Sequence, residues 1–196
     1  DLAARMRMRP LAEFYLSRFP AGRHSASARK LLEALPASEG ADLPPEALCE
    51  RLATHPRDAT ANLAGTPLET LVGTVDRATD ACRQAMAAHP MMPNYAALLA
   101  RALWAGNQRT EALQLYRTAS ERGNLRAMVS LGLILEAGDG VPKDVRGAFA
   151  LYERAAAGGS PDGAINLAVA LMQGGVLPRN VPRALELLTT ASHQGS

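Results

Sequence analysis

Between Asn94 and Ser196, the chain repeats a pattern of apolar and small residues every 36 positions without a gap. Self-similarity at a fixed period of about 20 to 50 residues is typical of stacked repeat proteins, in which each unit buries its apolar face against its neighbours. The sequence therefore predicts a modular fold with an extended binding surface rather than an enclosed active site. The coinciding positions are Leu99, Leu135 and Leu171; Ala112, Ala148 and Ala184; Leu115, Leu151 and Leu187; Ala119, Ala155 and Ala191; and Gly123, Gly159 and Gly195.

The composition favours helices. Hydrophobic residues make up 47% of the chain but aromatic residues only 4%, so the core must come from closely packed helices with small side chains. The formal net charge of +2 provides no electrostatic argument for a nucleic-acid partner. No apolar run approaches the roughly 20 residues that a bilayer crossing requires, and we expect no membrane span in this segment.

Positive charge is concentrated near the start of the chain. Residues 1–30 hold seven basic and two acidic side chains, which indicates a solvated helix face or, as the alternative, a surface for an anionic partner. The chain begins at Asp1 without a hydrophobic signal segment, which predicts a processed form or part of a longer protein. The basic residues are Arg5, Arg7, Arg9, Arg18, Arg23, Arg29 and Lys30.

Within the clearest unit, apolar residues follow helical spacing twice. Residues 127–138 predict the first helix of a pair, in which the small Gly132 permits close backbone approach. The glycines and the proline that follow end this helix, because glycine tolerates positive φ and proline cannot continue a helix. Asp144 is placed to cap the second helix, and Ser160 to cap the first helix of the next unit.

The unit from Ala127 to Gly159 contains a sequence motif. Its first helix has a small residue next to a leucine, its loop reads Gly-x-Gly-Val and ends in aspartate, and its second helix has alanine and tyrosine before a final glycine. The residues of this motif are Leu131, Gly132, Gly138, Gly140, Val141, Asp144, Ala148, Tyr152, Ala155, Ala156 and Gly159. This pattern resembles the Sel-one-like repeat, a helix-loop-helix relative of the tetratricopeptide repeat. The resemblance implies an all-α, right-handed solenoid of about ten helices in a bacterial protein, with repeat units at 91–126, 127–162 and 163–196.

The neighbouring units depart from this pattern in their loops. The unit from Asn94 has Trp104, Ala105 and Gly106 in place of the double-glycine loop and is closer to a plain tetratricopeptide unit. The last unit has Val176 where the loop would carry glycine. Both departures leave the helix faces intact. We expect Trp104 and Tyr95 to be core or cap residues rather than contact points for a partner.

The part before the repeats divides into three stretches. Residues 1–35 predict a helical hairpin, 36–45 a linker, and 46–90 a helical region with a long irregular connection at 57–70. A short string in the hairpin is similar to helical segments found beside bacterial caspase-like peptidase domains, which would make the chain the C-terminal recognition or regulatory region of a longer enzyme. That string consists of Tyr15, Leu16, Phe19, Pro20, Gly22 and Arg23.

Cys49 and Cys82 are the only cysteines, and each precedes a His-Pro pair. An even count in a repeat family that resembles exported proteins predicts one disulfide, with two buried free cysteines as the alternative. The resemblance implies a location in the bacterial envelope, periplasmic or exported, with the cytoplasm as the alternative. A zinc site with His55 and His89 is disfavoured, because cysteine and histidine lie six or seven residues apart, about 9 to 10 Å along each helix.

Catalytic motifs are weak. Ser27 and Lys30 match the Ser-x-x-Lys pattern of penicillin-recognising enzymes, but no Ser-Asp-Asn or Lys-Thr-Gly sequence accompanies them. The glycines near 138 and 174 lack the lysine of a phosphate-binding loop. We therefore predict a non-catalytic chain without cofactor or metal.

The resemblance implies that the first helices line a concave surface. Asn94, Ser130 and Asn166 would form a polar column on it, with Arg101, Arg126 and Gln173 one turn away. Amide and guanidinium groups can bind a peptide backbone or a carboxylate, although an ordinary solvated helix face is the alternative. The expected function is a scaffold or adaptor for a protein or peptide partner.

The final predicted helix carries Leu185, Leu187 and Leu188 with no later repeat to cover it. Solenoids generally require a polar terminal cap. We therefore expect self-association through this helix.

Overall fold

The computed structural model describes residue 16 and residues 22–34, 43–58, 61 and 64–193. The elements of these described residues are ten α-helices, which confirms the all-α fold. They are α1 (Ser25–Ala34), α2 (Pro45–Ala53), α3 (Leu68–Val72), α4 (Val75–Ala88), α5 (Pro93–Ala105), α6 (Arg109–Glu121), α7 (Leu125–Ala137), α8 (Val145–Ala157), α9 (Pro161–Gln173) and α10 (Val181–His193).

The chain comprises two units, Asp1–Pro44 and Pro45–Ser196. In the first unit α1 follows a turn in which the Ser25 amide donates to the Gly22 carbonyl at 2.9 Å. Apart from residue 16, the first helix of the predicted hairpin lies outside the described residues, and so does most of the predicted linker. Tyr15, Phe19 and Pro20, on which the resemblance to peptidase-associated segments depends, also lie outside them.

The second unit is a row of helical pairs. α5 and α6, α7 and α8, and α9 and α10 each form one pair of a repeat, and α6 and α8 also contact the first helix of the next pair. α2 packs against α4 and α5, and α3 against α5. Each pair therefore buries its apolar face against its neighbours, as the 36-residue period predicts.

Side-chain caps begin several of these helices, and the caps of the two first helices α7 and α9 are 36 residues apart. Asn124 accepts a hydrogen bond from the Ala127 amide at 2.7 Å, and Asp144 accepts from the Gly147 amide at 2.8 Å. Ser160 caps α9 by accepting from the Gly163 amide. Each cap pairs one of the backbone N–H groups that a helix start leaves without an intrahelical partner.

α7 and α8 approach each other closely at Gly132, beneath the ring of Tyr152. A Cβ atom at position 132 would lie 2.4 Å from Cε1 of that ring, so only glycine allows α7 and α8 to approach this closely. Tyr152 is completely buried, and its hydroxyl donates to Glu136 Oε2 at 2.8 Å. Burial and this carboxylate raise the pKa of Tyr152, so the hydroxyl stays protonated.

A disulfide joins α2 to α4. Cys49 and Cys82 are bonded, with their Cα atoms 4.7 Å apart, and both side chains are completely buried. Each sulfur is therefore occupied by the other and is not available as a thiolate ligand.

The last helix is covered on one side by α9. Leu187 and Leu188 are half-buried against the core around Phe149, whereas Leu185 is 56% exposed. Of the three leucines that were expected to be uncovered, one is open to solvent.

Candidate functional site

The first helices of the three repeats share a face that consists of positions i, i+3 and i+7. We call it the first-helix face, and its members are Asn94, Ala97 and Arg101 in α5, Ser130, Leu133 and Ala137 in α7, and Asn166, Val169 and Gln173 in α9. The three sets are 36 residues apart, so they occupy equivalent places in successive repeats.

In the second and third repeats this face is open and partly apolar. Leu133 is 40% exposed, Val169 is 41% exposed, and the neighbouring Met172 is 40% exposed. Gln173 is also exposed. The sequence reasoning picked out the polar members of this face and missed the apolar ones. Their signal was an apolar residue in each of two successive repeats where a solvated helix face would carry polar ones.

In the first repeat the same face is closed. Ala97 is only 6% exposed. The Arg101 guanidinium donates to three backbone carbonyl oxygens, those of Ala53 at 3.1 Å, Thr54 at 2.9 Å and Thr66 at 2.6 Å. Burial lowers the pKa of Arg101. The charge of Arg101, which we expected to face a partner, is thus used within the chain.

The carbonyl groups that Arg101 binds belong to both ends of one loop. The 54–66 loop, of which residues 54–58, 61 and 64–66 are described, leaves α2 and returns beside its own start: the Thr66 amide donates to the Thr54 carbonyl at 2.8 Å. At Gly65 a Cβ atom would lie 2.2 Å from the carbonyl carbon of His55. Glycine is therefore required for the two ends to meet.

The loop also reaches the start of α9. Arg57 Nε lies 3.9 Å from Asp162 Oδ2, although the Arg57 side chain is 71% exposed. Asp162 also forms an ion pair with Arg126, and both of these side chains are only 10% exposed. Within the described part of the chain, Arg126 Nε has no hydrogen-bond partner. Arg126, another predicted partner-binding residue, is thus paired within the chain.

His55 lies among these charges. Its pKa is lowered from 6.5 to about 4, first by burial and then by the positive charges of Arg126, Arg101 and Arg57, with Asp162 opposing them. Its Nδ1 accepts a hydrogen bond from the Arg57 amide at 3.0 Å. The ring is therefore neutral at pH 7, and the surrounding site is dominated by guanidinium groups.

The remaining residues that were predicted to bind a partner differ in their hydrogen bonds and in their exposure to solvent. Ser130 is hydrogen-bonded to Tyr116, whose pKa burial raises to about 12. Asn166 Nδ2 donates to the Asp162 carbonyl at 2.9 Å, which leaves its Oδ1 atom to accept other bonds. Asn94 is half-buried, and Gln173 is exposed.

Other candidates lie elsewhere. Ser27 and Lys30 are both exposed on α1. Tyr95 is 6% exposed, and its hydroxyl donates to Glu50 at 3.4 Å. Trp104 is half-buried, and the guanidinium carbon of Arg109 lies 4.2 Å from the centre of its ring. Both aromatic residues serve the packing.

The repeat geometry and the sequence agree with one known family. The profile of the Sel1 repeat matches residues 96–124, 125–160 and 161–196, which is just over half of the chain. This chain belongs to the Sel1 repeat family.

Solved structures of Sel1-like proteins share the fold. The chain is 28% identical to a Sel1 repeat protein from Oxalobacter formigenes, with a TM-score of 0.51 over 66% of this chain and 90% of that one. It is 22% identical to the protective antigen c5321 of uropathogenic Escherichia coli, with a TM-score of 0.55 over 66% of this chain and 31% of that one.

Cysteine-rich protein B of Helicobacter pylori is also 22% identical, with a TM-score of 0.50 over 67% of this chain and 93% of that one. A comparison with curated proteins gave no match. Among the described helices, none combines the length and the apolarity that a bilayer crossing requires.

Proposed function

We propose that this chain is a non-catalytic adaptor that binds a segment of a partner protein on the first-helix face of its second and third repeats. Sel1 repeat proteins are generally protein-interaction scaffolds. The observation that supports this site is the exposure of Leu133, Val169 and Met172 beside polar side chains. Solenoids of paired helices use such extended inner surfaces to bind other proteins.

The chemistry of this face suits an extended peptide. The three exposed apolar side chains offer area that a partner's apolar residues would remove from water, at about 25 cal/mol for each Å². Asn166 Oδ1 and the Gln173 amide supply acceptors and donors for peptide groups. Apolar contacts would provide affinity, and the amides would fix the position of the partner's backbone.

The 54–66 loop sets the limit of this surface. It occupies Arg101 and reaches Asp162, so a partner would contact α7 and α9 rather than the whole row of first helices. Among the six residues predicted from the sequence, Asn166 and Gln173 are the ones best placed for direct contact. Arg126 would support the partner-binding site indirectly, because its ion pair with Asp162 holds the start of α9 in place.

A photocrosslinking experiment tests the site. A photoreactive amino acid placed at position 169 should crosslink a specific protein from the source cells, and Leu133→Ser should abolish that product. Leu68→Ser is the matched control, because Leu68 is 53% exposed on α3, outside the second and third repeats. Crosslinking that is equal with and without Leu133→Ser would contradict the proposed site.

We also propose that the protein works in an oxidising compartment outside the cytoplasm. The support is the Cys49–Cys82 disulfide, because such bonds persist mainly in exported proteins. A thiol titration of the protein isolated from its native cells should find no free cysteine. Two free thiols in the native protein would contradict the proposal.

Self-association through α10 is a further part of the proposal. The contact would depend on Leu185, which is 56% exposed, because Leu187 and Leu188 are half-buried. Light scattering should show a dimer or larger species that Leu185→Lys converts to a monomer. A monomer at all concentrations of the wild-type protein would contradict it.

A further inference from the structure

The last repeat contains a groove that is separate from the first-helix face. It has a volume of 420 Å³ and lies between α8, α9, the 174–180 loop and the start of α10. None of its lining residues belongs to the first-helix face. Its floor and walls are formed by apolar side chains, namely Phe149, Leu167, Leu171, Val176, Leu177 and Pro178.

The rim of this groove is basic. Arg146, Arg179 and Arg183 line it, with Glu153 as its one carboxylate. Arg183 Nη2 lies 3.4 Å from Glu153 Oε1, and both side chains are more than half exposed. Arg179 donates from Nε to the Met172 carbonyl at 3.2 Å, and no carboxylate of the described residues forms an ion pair with it. The rim therefore carries an excess of two positive charges.

The preceding repeat shows that the helix packing does not require these features. Thirty-six residues earlier, the chain has Thr110 in place of Arg146 and Gly147 in place of Arg183. Val176, which is 41% exposed, stands where the preceding loop has a glycine. The two helical pairs are built in the same way without these side chains. The preceding repeat also carries a basic residue, Lys143, in place of Arg179 and has Arg117 in place of Glu153. The arginines at 146 and 183 and the valine wall are therefore what distinguish the last repeat.

We propose that this groove binds an acidic peptide segment of a partner protein, which inserts one large apolar side chain and places its carboxylates on the arginine rim. The volume lies within the roughly 300 to 1,000 Å³ typical of ligand pockets and suits a single leucine or phenylalanine side chain. Guanidinium groups bind carboxylates through two parallel hydrogen bonds. Because the rim is exposed, its charges contribute to specificity and to the rate of association more than to affinity.

The groove and the first-helix face are independent sites. The groove takes only Leu167 and Leu171 from a first helix, and neither of them belongs to the first-helix face that lines the proposed adaptor site. The test of the groove can therefore fail while the adaptor proposal holds. Val169→Ser serves as a control that changes only the adaptor site.

A phage-displayed library of random dodecapeptides selects ligands for the groove. The wild-type protein is the bait, and Ala150→Phe, which places a ring at the exposed groove-lining position 150, is kept for the binding measurement and takes no part in the selection. Gln114→Phe is the matched control, because Gln114 is exposed at the equivalent position one repeat earlier. We expect enriched peptides that combine acidic residues with a leucine or an aromatic residue.

The enriched peptide is then measured by fluorescence anisotropy. Ala150→Phe should weaken binding at least about tenfold, because it fills the space that the apolar side chain needs. Arg146→Gln should weaken binding about two- to fivefold, as expected for an exposed ion pair. Gln114→Phe, Val169→Ser and Arg117→Gln, an exposed arginine of the first repeat, should have no effect. Binding to the wild type should weaken as salt rises.

Three results of the peptide experiments would overturn the proposal, and a fourth would come from the oligomeric state. The three are peptides that bind Ala150→Phe as tightly as the wild type, enrichment of basic or uncharged peptides, and affinity that does not change with salt. A wild-type dimer that Ala150→Phe converts to a monomer would identify a second copy of this chain as the occupant, and would equally overturn it.

Discussion

The first and third repeats carry equivalent first-helix positions, but only the third leaves them open to solvent. Ala97 is 6% exposed, whereas Val169, two repeats later, is 41% exposed. Arg101 is bonded to the 54–66 loop, whereas Gln173, at the same place in α9, is exposed. One repeat position can therefore support the fold in one unit and be free for a partner in another.

The difference shows what decides the role of a repeat position. The helices that present these residues, α5 and α9, have the same length, and each packs against the second helix of its own repeat. A segment from outside the repeats covers the first repeat, whereas in the third repeat its described residue Arg57 lies near Asp162 at the start of α9. Contacts with segments outside the repeats thus decide which repeat positions are used within the fold and which remain exposed for a partner.

The largest change in stability that we expect comes from removing the disulfide that joins α2 to α4, beside the covered first repeat. Replacing both cysteines, Cys49→Ala with Cys82→Ala, should lower the free energy of unfolding by about 3 to 4 kcal/mol, because the unfolded chain regains the entropy of the loop that the disulfide closes. Urea unfolding followed by circular dichroism measures the change. Reducing agent should destabilise the wild type but not this double variant. A loss below about 1 kcal/mol would show that packing alone holds α2 against α4.

A substitution at one repeat position sharpens the comparison directly. Arg101→Met should cost about 2 kcal/mol, since a charged donor to three carbonyl groups is lost, and trypsin should then cleave faster after Arg57. Gln173→Met, its counterpart two repeats later, should change stability by less than about 0.5 kcal/mol. Equal losses in the two variants would show that the loop does not distinguish the first repeat from the third.

Acidification tests the loop through His55. Its pKa is 6.5 when unfolded and about 4 when folded, so between these values the unfolded chain binds a proton that the folded chain does not. Stability should therefore fall as the pH decreases from 6.5 to 4. Because the ring is only half-buried, we expect about 1 kcal/mol in total.

The measurement is urea unfolding at several pH values, for the wild type and for His55→Gln. The variant should lack this part of the pH dependence. Identical pH profiles for the two proteins would contradict the position of His55 among the guanidinium groups.

The smallest effect belongs to the open face. Val169→Ser should change the free energy of unfolding by less than about 0.5 kcal/mol, because the side chain is already in contact with water. Urea unfolding measures this as well. A loss above about 1 kcal/mol would mean that Val169 is packed in solution and that the third repeat is as closed as the first.

Much of the fold could be predicted from local pattern. The caps Asp144 and Ser160 and the close approach at Gly132 were predicted from the spacing of the residues, because each depends on neighbours within one or two helices. The repeat period determined which residues face the core. Local signals of this kind suffice wherever each unit contacts only its neighbours.

The candidate site was less predictable. Arg101 looked like a free guanidinium because its bonding partners lie up to 48 residues away, in a loop without regular pattern. Leu133 and Val169 were missed because an apolar residue on a helix suggests core. Only the tertiary structure shows that, among the described residues, Leu133 and Val169 remain 40% and 41% exposed.

The sequence alone determined the repeat, the helical pairs and the residues of each buried stripe, since these follow from periodicity and short-range capping. It left open whether Cys49 and Cys82 bond, where the 54–66 loop lies and which repeats stay accessible. The tertiary structure decided these points, because they depend on distances between segments far apart in the chain. Periodic spacing carries no information about such distances.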